Sequence, residues 1–354
     1  MKVKSYGKIL IFGAYSILER GNLGYVATID KGNITEVKET DSGKIVIDLK
    51  NFQISINGIY KNNFFQLEKE NDSLVYIKNA INYSFQYLSF KKIKIKNIIL
   101  TSVNEPEFNI KNQKTGLGSS SCSVVSAVSA ILALHDITDR NIVFKISRYA
   151  HFKAQNNLGS GYDIAASCFG SHFFISDTLN SNMDFFQYLK KEDNYIKKEF
   201  EFPYLLQPIL ILLKRQVSTK EFIKKVFNFK EKNPKKYESF IFEYNQINNK
   251  IKDAFEYNDL KKIKDLLEES WKKRKELGIM AKIDIEKDNE TKLINNLKKN
   301  GAFTAGIIGA GGDSILALCL SKYDKDKLCN YLDEYSIDFI NLNFENKGYE
   351  ILPK

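Results

Sequence analysis

The residues best placed to do chemistry are Lys114-Thr-Gly-Leu-Gly-Ser-Ser-Ser. Gly116 and Gly118, on either side of Leu117, let the backbone curl so that successive N–H groups point inward. The hydroxyls of Ser119, Ser120 and Ser121 follow at the start of a long run of small and apolar residues. A helix opening there adds partial positive charge at its N-terminus, and the whole suits a phosphate chain with its Mg2+. The loop is not of the G-x-x-x-x-G-K-[ST] type, since no lysine closes it. A serine-capped helix after a plain glycine turn is the competing reading.

Four other segments carry similar promise and a similar plain alternative. Gly309-Ala310-Gly311-Gly312-Asp313-Ser314 is a glycine turn between two apolar runs, and two such loops in different domains can close on one triphosphate. Asp163, in Gly159-Ser160-Gly161-Tyr162-Asp163, sits just inside a small, apolar helix, where a carboxylate either complements the dipole or faces a reacting oxygen. Lys8 precedes the apolar stretch Ile9–Phe12 and is either a strand-end lysine or a counter-charge for a transferred phosphoryl group. Ser218-Thr219 begins a helix after a strand, as an N-cap or as a ligand clamp.

The elements that must position these residues follow from hydrophobic spacing. Strands are expected at Lys8–Phe12, Gly24–Ile29, Ile34–Lys38, Lys44–Asp48, Phe52–Ile56 and Ile93–Leu100, with an amphipathic helix over Ser73–Phe90. Helices follow from Ser119, over Asn141–Gln155 and from Gly161 to Phe169. Asp177–Lys198 lacks periodicity, so the chain divides near 190 into an N-terminal domain, 1–190, and a C-terminal domain, 191–354. The second part reads strand (Leu206–Leu213), several Lys/Glu-rich helices, two strands around the second glycine loop, a helix Lys325–Glu334 and a strand Ile337–Asn343. The class is α+β, with the site in the cleft between the domains.

Composition removes several alternatives. With 43% apolar and 27% charged residues the chain is globular, neither disordered nor a disulfide scaffold. Cys122, Cys168, Cys319 and Cys329 show no C-x-x-C spacing, which points to a reduced, cytoplasmic setting. His135, His151 and His172 are too scattered for a metal centre and read as surface or satisfied core histidines. No apolar run is long enough to span a membrane. The net charge of +10 raises nucleic acid as a partner, but the positive residues are spread along the chain. Their densest run, from Lys214 and Arg215 through Lys220 and Lys230 to Lys236, suits a small polyanion as well as a polymer.

Taken together, these segments resemble the GHMP small-molecule kinases, and among them the phosphomevalonate kinases, over nearly the whole chain. The family's first motif appears as Tyr6-Gly7-Lys8 running to Gly13-Ala14-Tyr15, the second as the 114–120 loop and the third as Gly309–Gly312. Closer similarity lies in Ala154-Gln155, Gly159-Ser160-Gly161, Arg215-Gln-Val-Ser218-Thr219 and Ile285-Glu286. The resemblance implies an N-terminal domain like ribosomal protein S5 domain 2 and a ferredoxin-like C-terminal domain. It implies ATP and Mg2+, with Lys114 and Gly116–Ser121 around the nucleotide phosphates and Ser120 and Asp163 at the metal. Lys8 and Asp163 would be catalytic. Lys8, Tyr15, Ser160, Ser218, Thr219, Ala310 and Gly311 would touch the substrate, 5-phosphomevalonate. A monomer or homodimer acting on small molecules, with no nucleic acid or membrane partner, is the expectation. Mevalonate kinase or another family member is the first alternative, and a basic nucleic-acid-binding module on the S5-like fold the distant one. Three departures stand out: Tyr6 replaces proline, Ala14 stands where many relatives carry Glu, and Asp313 stands where many carry a further Gly.

Overall fold

The computed structural model describes residues 1–353 apart from 112, 158, 176–178, 181, 192–196, 204 and 216. The first part is built on a long sheet. Its strands are β1 (Lys2–Phe12), β2 (Leu23–Glu39), β3 (Ile45–Leu49), β4 (Ile54–Lys61), β5 (Phe64–Leu67) and β6 (Ile98–Asn104), followed by the small ribbon β7 (Asn109–Ile110) and β8 (Gln113–Lys114). β9 (His172–Ile175) and β10 (Lys197–Glu199) extend the sheet in the order β10-β9-β2-β6-β3-β4-β5. The segments expected as separate strands at 24–29 and 34–38 are one 17-residue strand. It runs on through Gly32, where any Cβ would lie 2.3 Å from the carbonyl oxygen of Ser5.

Helices α1 (Val75–Phe90), α2 (Ser119–Leu134), α3 (Arg140–Ala154), α4 (Tyr162–Phe169) and the short α5 (Phe185–Lys190) belong to this part. α2 has buried residues all round, because Ser, Ala and Val let it lie close to the sheet. Its hydroxyls do not go to waste there: Ser126 joins Asn33, Thr35 and Ser102 in a buried hydrogen-bond network.

In the second part β11 (Gln207–Leu212) precedes α6 (Thr219–Lys232), α7 (Pro234–Glu256), α8 (Leu260–Ala281) and α9 (Asp288–Lys299); β12 (Thr304–Ile307), β13 (Ser314–Cys319), α10 (Lys322–Glu334) and β14 (Phe339–Asn341) follow. The sheet order β12-β13-β11-β14 is that of a ferredoxin-like domain, with the long helices inserted after its first strand. The chain then returns: β15 (Phe344–Glu345) pairs with β2 and β16 (Tyr349–Leu352) with β1. The sheet is thus completed by strands from beyond residue 190.

The two parts share core. Leu10, Ala14 and Ile17 pack with Ile209, Tyr244 and Leu277 in one apolar cluster, while Trp271 of α8 packs with Ile9 and Phe12 in another. Asn248 of α7 donates to Ser16 Oγ at 3.0 Å and to the carbonyl of Leu23 at 3.2 Å. The two walls of the cleft are thus joined by an apolar, hydrogen-bonded junction. No described helix is long and apolar enough to cross a membrane.

Candidate active site

Lys8 reaches the site because β1 is irregular beside it. The pairing of β1 with β2 shifts between Tyr6 and Lys8. A Cβ on Gly7 would lie 2.9 Å from Phe108 and 3.0 Å from the carbonyl oxygen of Leu117, so the position demands glycine. The kink brings the Lys8 N–H onto that carbonyl at 2.9 Å and its Nζ onto the carbonyl of Gly116 at 3.0 Å. The ammonium also stands 5.4 Å from the Tyr162 ring centre. Burial works against its charge, but Tyr162 and Asp163 outweigh it and hold its pKa above the usual lysine value.

The first glycine loop takes the curled form its sequence suggests: φ is 75° at Gly116 and 91° at Gly118, the cap of α2. Lys114 is exposed at the end of β8, and Leu117 is buried with the core behind β1. Ser119 and Ser120 are half-buried. Ser121 is buried, donates to the carbonyl of Gly118 at 2.8 Å and lies 3.2 Å from Ser167 Oγ, so its hydroxyl braces the helix start. Beneath it Cys122 has its thiol pushed up to about 12 by burial and stays protonated.

Asp163 lies in the first turn of α4, after Gly161 with φ 83°. Its Oδ1 accepts from the Ile164 N–H at 3.0 Å, and its Oδ2 lies 3.7 Å from Nε2 of His151. The same Nε2 is 3.2 Å from Ser120 Oγ. His151, only 3% exposed, therefore joins the two residues expected at the metal. Burial lowers its pKa, with Asp163 opposing and Lys8 adding to the fall, so the ring is neutral near pH 7. One weak signal in the sequence could have found this residue: it precedes Gln155 by one helical turn, on the face of α3 that carries the Ala154-Gln155 segment.

Beside Asp163 opens a cavity of about 480 Å3. Leu10, Ile17 and Ile223 line its apolar side; Ser160, Thr219 and Lys220 line its polar side, and Gly309 and Ala310 close it from the second glycine loop. Tyr15 is also in the wall, with its backbone at φ 67° and its hydroxyl donating to the Ala310 carbonyl at 2.6 Å. Ser218 caps α6, accepting from the Glu221 N–H at 3.2 Å, and Gly311 lies behind Ala310 against Ile285. Neither of these two lines the cavity. In the basic run, Lys220 faces it, whereas Arg215 is paired with Glu290 at 2.9 Å and Lys230 with Glu19 at 2.7 Å. Ala14 leaves the wall there without charge. Asp313 lies across from Gly116, and burial raises its pKa while Lys8 and Arg274 pull it down.

Among the described residues no three His, Cys, Asp or Glu side chains converge on a point fit for a metal ion. The hydroxyl of Ser120 and the single carboxylate of Asp163, brought together at His151, are nevertheless oxygen donors of the kind Mg2+ takes. Mg2+ is commonly held by one or two carboxylates, with phosphates and water filling the rest, so the donor set fits an ion that arrives with a nucleotide.

Comparison with known proteins agrees with this geometry. Residues 75–171 match the family model for the GHMP kinases N terminal domain, and residues 251–338 that for the GHMP kinases C terminal; together these span just over half of the chain. A phosphomevalonate kinase of Saccharolobus solfataricus is 28% identical over 331 residues, 90% of each chain. The Streptococcus pneumoniae phosphomevalonate kinase solved with phosphomevalonate and AMPPNP superposes with a TM-score of 0.77 at 20% identity, over 98% of this chain and 100% of that one. The Methanococcus jannaschii mevalonate kinase gives 0.70 at 17% identity, over 98% of each. The same fold thus serves acceptors of different chemistry. With both family domains in order along the sequence, and the glycine loops, Lys8 and Asp163 gathered at one cleft, the chain belongs to the GHMP kinase family.

Proposed function

We propose that this kinase transfers the γ-phosphoryl group of ATP to the phosphate of (R)-5-phosphomevalonate, giving (R)-5-diphosphomevalonate and ADP. The observation that carries this reading is the junction at Asp163, where the loop held by Lys8 meets a cavity lined by Ser160, Thr219, Lys220 and Ala310. Similarity over 90% of the Saccharolobus solfataricus phosphomevalonate kinase favours a phosphate acceptor over an alcohol.

In this reading the N–H groups of Gly116–Ser120 and the start of α2 hold the nucleotide phosphates, as their curl and the helix dipole favour. Ser120 and Asp163 hold Mg2+, which would neutralise phosphate charge. Tyr15, Ser160, Ser218, Thr219, Ala310 and Gly311 form the acceptor side, with Tyr15, Ser218 and Gly311 shaping its wall through the contacts described above. Lys220 and the start of α6 favour the acceptor's anionic groups. An acceptor phosphate oxygen forms a bond to the γ-phosphorus as the bond to the β,γ-bridging oxygen breaks, and ADP leaves with that oxygen. A phosphate monoester, whose second pKa is about 6, is already largely ionised at neutral pH. The step therefore needs screening of two anions more than it needs a base. Lys8 supplies that screening, anchored where the transferred group passes.

The test is ADP release in the presence of ATP and Mg2+ with mevalonate, 5-phosphomevalonate and 5-diphosphomevalonate supplied separately, the product identified by mass. Turnover on 5-phosphomevalonate alone is expected; turnover on mevalonate instead would move the acceptor and sink the proposal.

A further inference from the structure

Arg274 of α8 is 2% exposed, yet only one of its donors is used: Nη1 donates to the carbonyl of Gly309 at 3.1 Å, while Nε and Nη2 have no partner. No carboxylate pairs with it among the described residues. Asp313 and Glu286 are near enough to influence it, but neither is in ion-pair contact with it, and Glu286 is occupied by Lys275 at 3.1 Å and by Thr291. A buried guanidinium with no carboxylate in direct contact is costly, and its one direct hydrogen bond marks where it acts.

That bond fixes a peptide plane in the wall of the cavity. All peptide bonds described are trans, so where the Gly309 carbonyl points back toward Arg274, the N–H of Ala310 points the other way. Gly309 and Ala310 line the cavity; Arg274 does not. No described group accepts from the Ala310 N–H, whereas the next N–H, that of Gly311, is used within the turn by Ile308 at 3.2 Å. The Ala310 carbonyl is in turn held by Tyr15 at 2.6 Å. Gly309 has φ 62°, in the left-handed region where glycine moves most freely, so its backbone gives this peptide little rigidity of its own.

We infer that Arg274 is a positioning residue: by holding the Gly309 carbonyl it aims the Ala310 N–H into the cavity as a hydrogen-bond donor for an anionic oxygen of the acceptor. The buried positive charge behind the peptide strengthens that donor. The inference rests on the acceptor reading above and assigns to Arg274 a share in acceptor affinity that its distance from the cavity surface conceals.

The test compares Arg274→Met and Arg274→Lys with the unmodified enzyme. Steady-state KM is measured for 5-phosphomevalonate and for ATP, and binding of 5-phosphomevalonate is measured by calorimetry without nucleotide. Arg274→Met is expected to raise KM and Kd for the acceptor about 10-fold or more, as for a lost charge-assisted contact, with KM for ATP changed less than about twofold. Arg274→Lys, which keeps one donor and the charge, is expected to recover most of the acceptor affinity. Equal rises in both KM values, or a fall in kcat alone, would mean a merely structural role and overturn the inference. Should Arg274→Met not fold, Arg274→Lys and Arg274→Gln, each able to donate to Gly309, decide it: acceptor affinity lost in both equally with ATP affinity would again overturn it. If the unmodified enzyme binds no 5-phosphomevalonate, it is the acceptor reading that fails, and inorganic pyrophosphate and mevalonate binding by the same variants then show whether the Ala310 donor serves another anion.

Discussion

Lys8 Nζ donates to the carbonyl of Gly116 across 3.0 Å, tying the first strand to a loop more than a hundred residues further along the chain. The ammonium is thereby held at the lip of the glycine loop before any ligand enters. Lys8→Ala should lower kcat by about 10²–10³, the usual cost of removing a preorganised charge from a transfer site, and should lose more activity than Asp163→Asn. Steady-state rates of both variants check the order; a larger loss in Asp163→Asn would overturn the ranking that puts the Lys8 charge first.

Gly118 is fixed by two constraints at once. Its φ is 91°, and a Cβ there would lie 3.0 Å from both Lys8 Cε and Ser121 Oγ. Gly118→Ala is expected to cost about 1–2 kcal/mol of left-handed strain and to weaken ATP binding, while leaving the acceptor cavity intact. Gly116→Ala meets only the Asp313 carboxylate at 3.8 Å and should be milder. Nucleotide affinity of the two variants, measured with a non-hydrolysable analogue, separates them; equal affinities would contradict the packing argument.

The buried Nε2 of His151 lies 3.2 Å from Ser120 Oγ and 3.7 Å from Asp163 Oδ2, between the two. Replacing it with Leu takes the hydrogen-bond partner from Ser120 and the polar nitrogen from beside Asp163, and outer-shell changes of this kind typically cost about 10–100-fold in metal affinity or activity. His151→Leu should raise the Mg2+ concentration needed for half-maximal rate and for tight ADP binding. His151→Gln, which places an amide near the same point, should retain more of both. Unchanged Mg2+ dependence in the Leu variant would reduce His151 to a packing residue.

His135 predicts an acid-sensitive fold away from the cleft. Its Nδ1 lies 2.8 Å from the Ile131 carbonyl, which only accepts, so Nδ1 carries the proton and Nε2 accepts from the Lys96 N–H at 3.2 Å. A second proton has no place, and burial lowers the pKa. The folded pKa thus lies below the unfolded value of about 6.5. Stability is unaffected above that pH and is lost as pH falls below it, where the unfolded chain takes up the proton first. The melting temperature of the unmodified chain should fall more between pH 7 and 5.5 than that of His135→Leu, whatever the variant's absolute stability; parallel curves would refute the assignment.

Much of the site was legible because its parts are local. Glycines 116 and 118 before three serines specify a curled loop and a helix start with no help from the rest of the chain, and a 16-residue run of small residues specifies a buried helix. The apolar spacing likewise placed α1, α3 and the long helices of the second part. What the sequence did not disclose depends on distant pairings. The β15 and β16 strands are too short to announce themselves, and they exist because β1 and β2 offer edges to residues some three hundred positions away.

The histidines show the same division. By spacing alone His135, His151 and His172 are equivalent, and the expectation of satisfied core residues holds for His135. Only the packing of α3 against the starts of α2 and α4 sets His151 between Ser120 and Asp163. Arg274 stood in a lysine-rich helix with nothing to distinguish it, and its meaning comes from burial behind a loop 35 residues ahead. Residue types and short spacings determined by themselves which chemistry the chain can offer, because backbone curl, caps and amphipathic faces are short-range. Which groups share a charge, a carbonyl or a cavity wall was decided by tertiary structure alone, because hydrogen bonds and desolvation act over a few ångströms in space without regard to distance along the sequence.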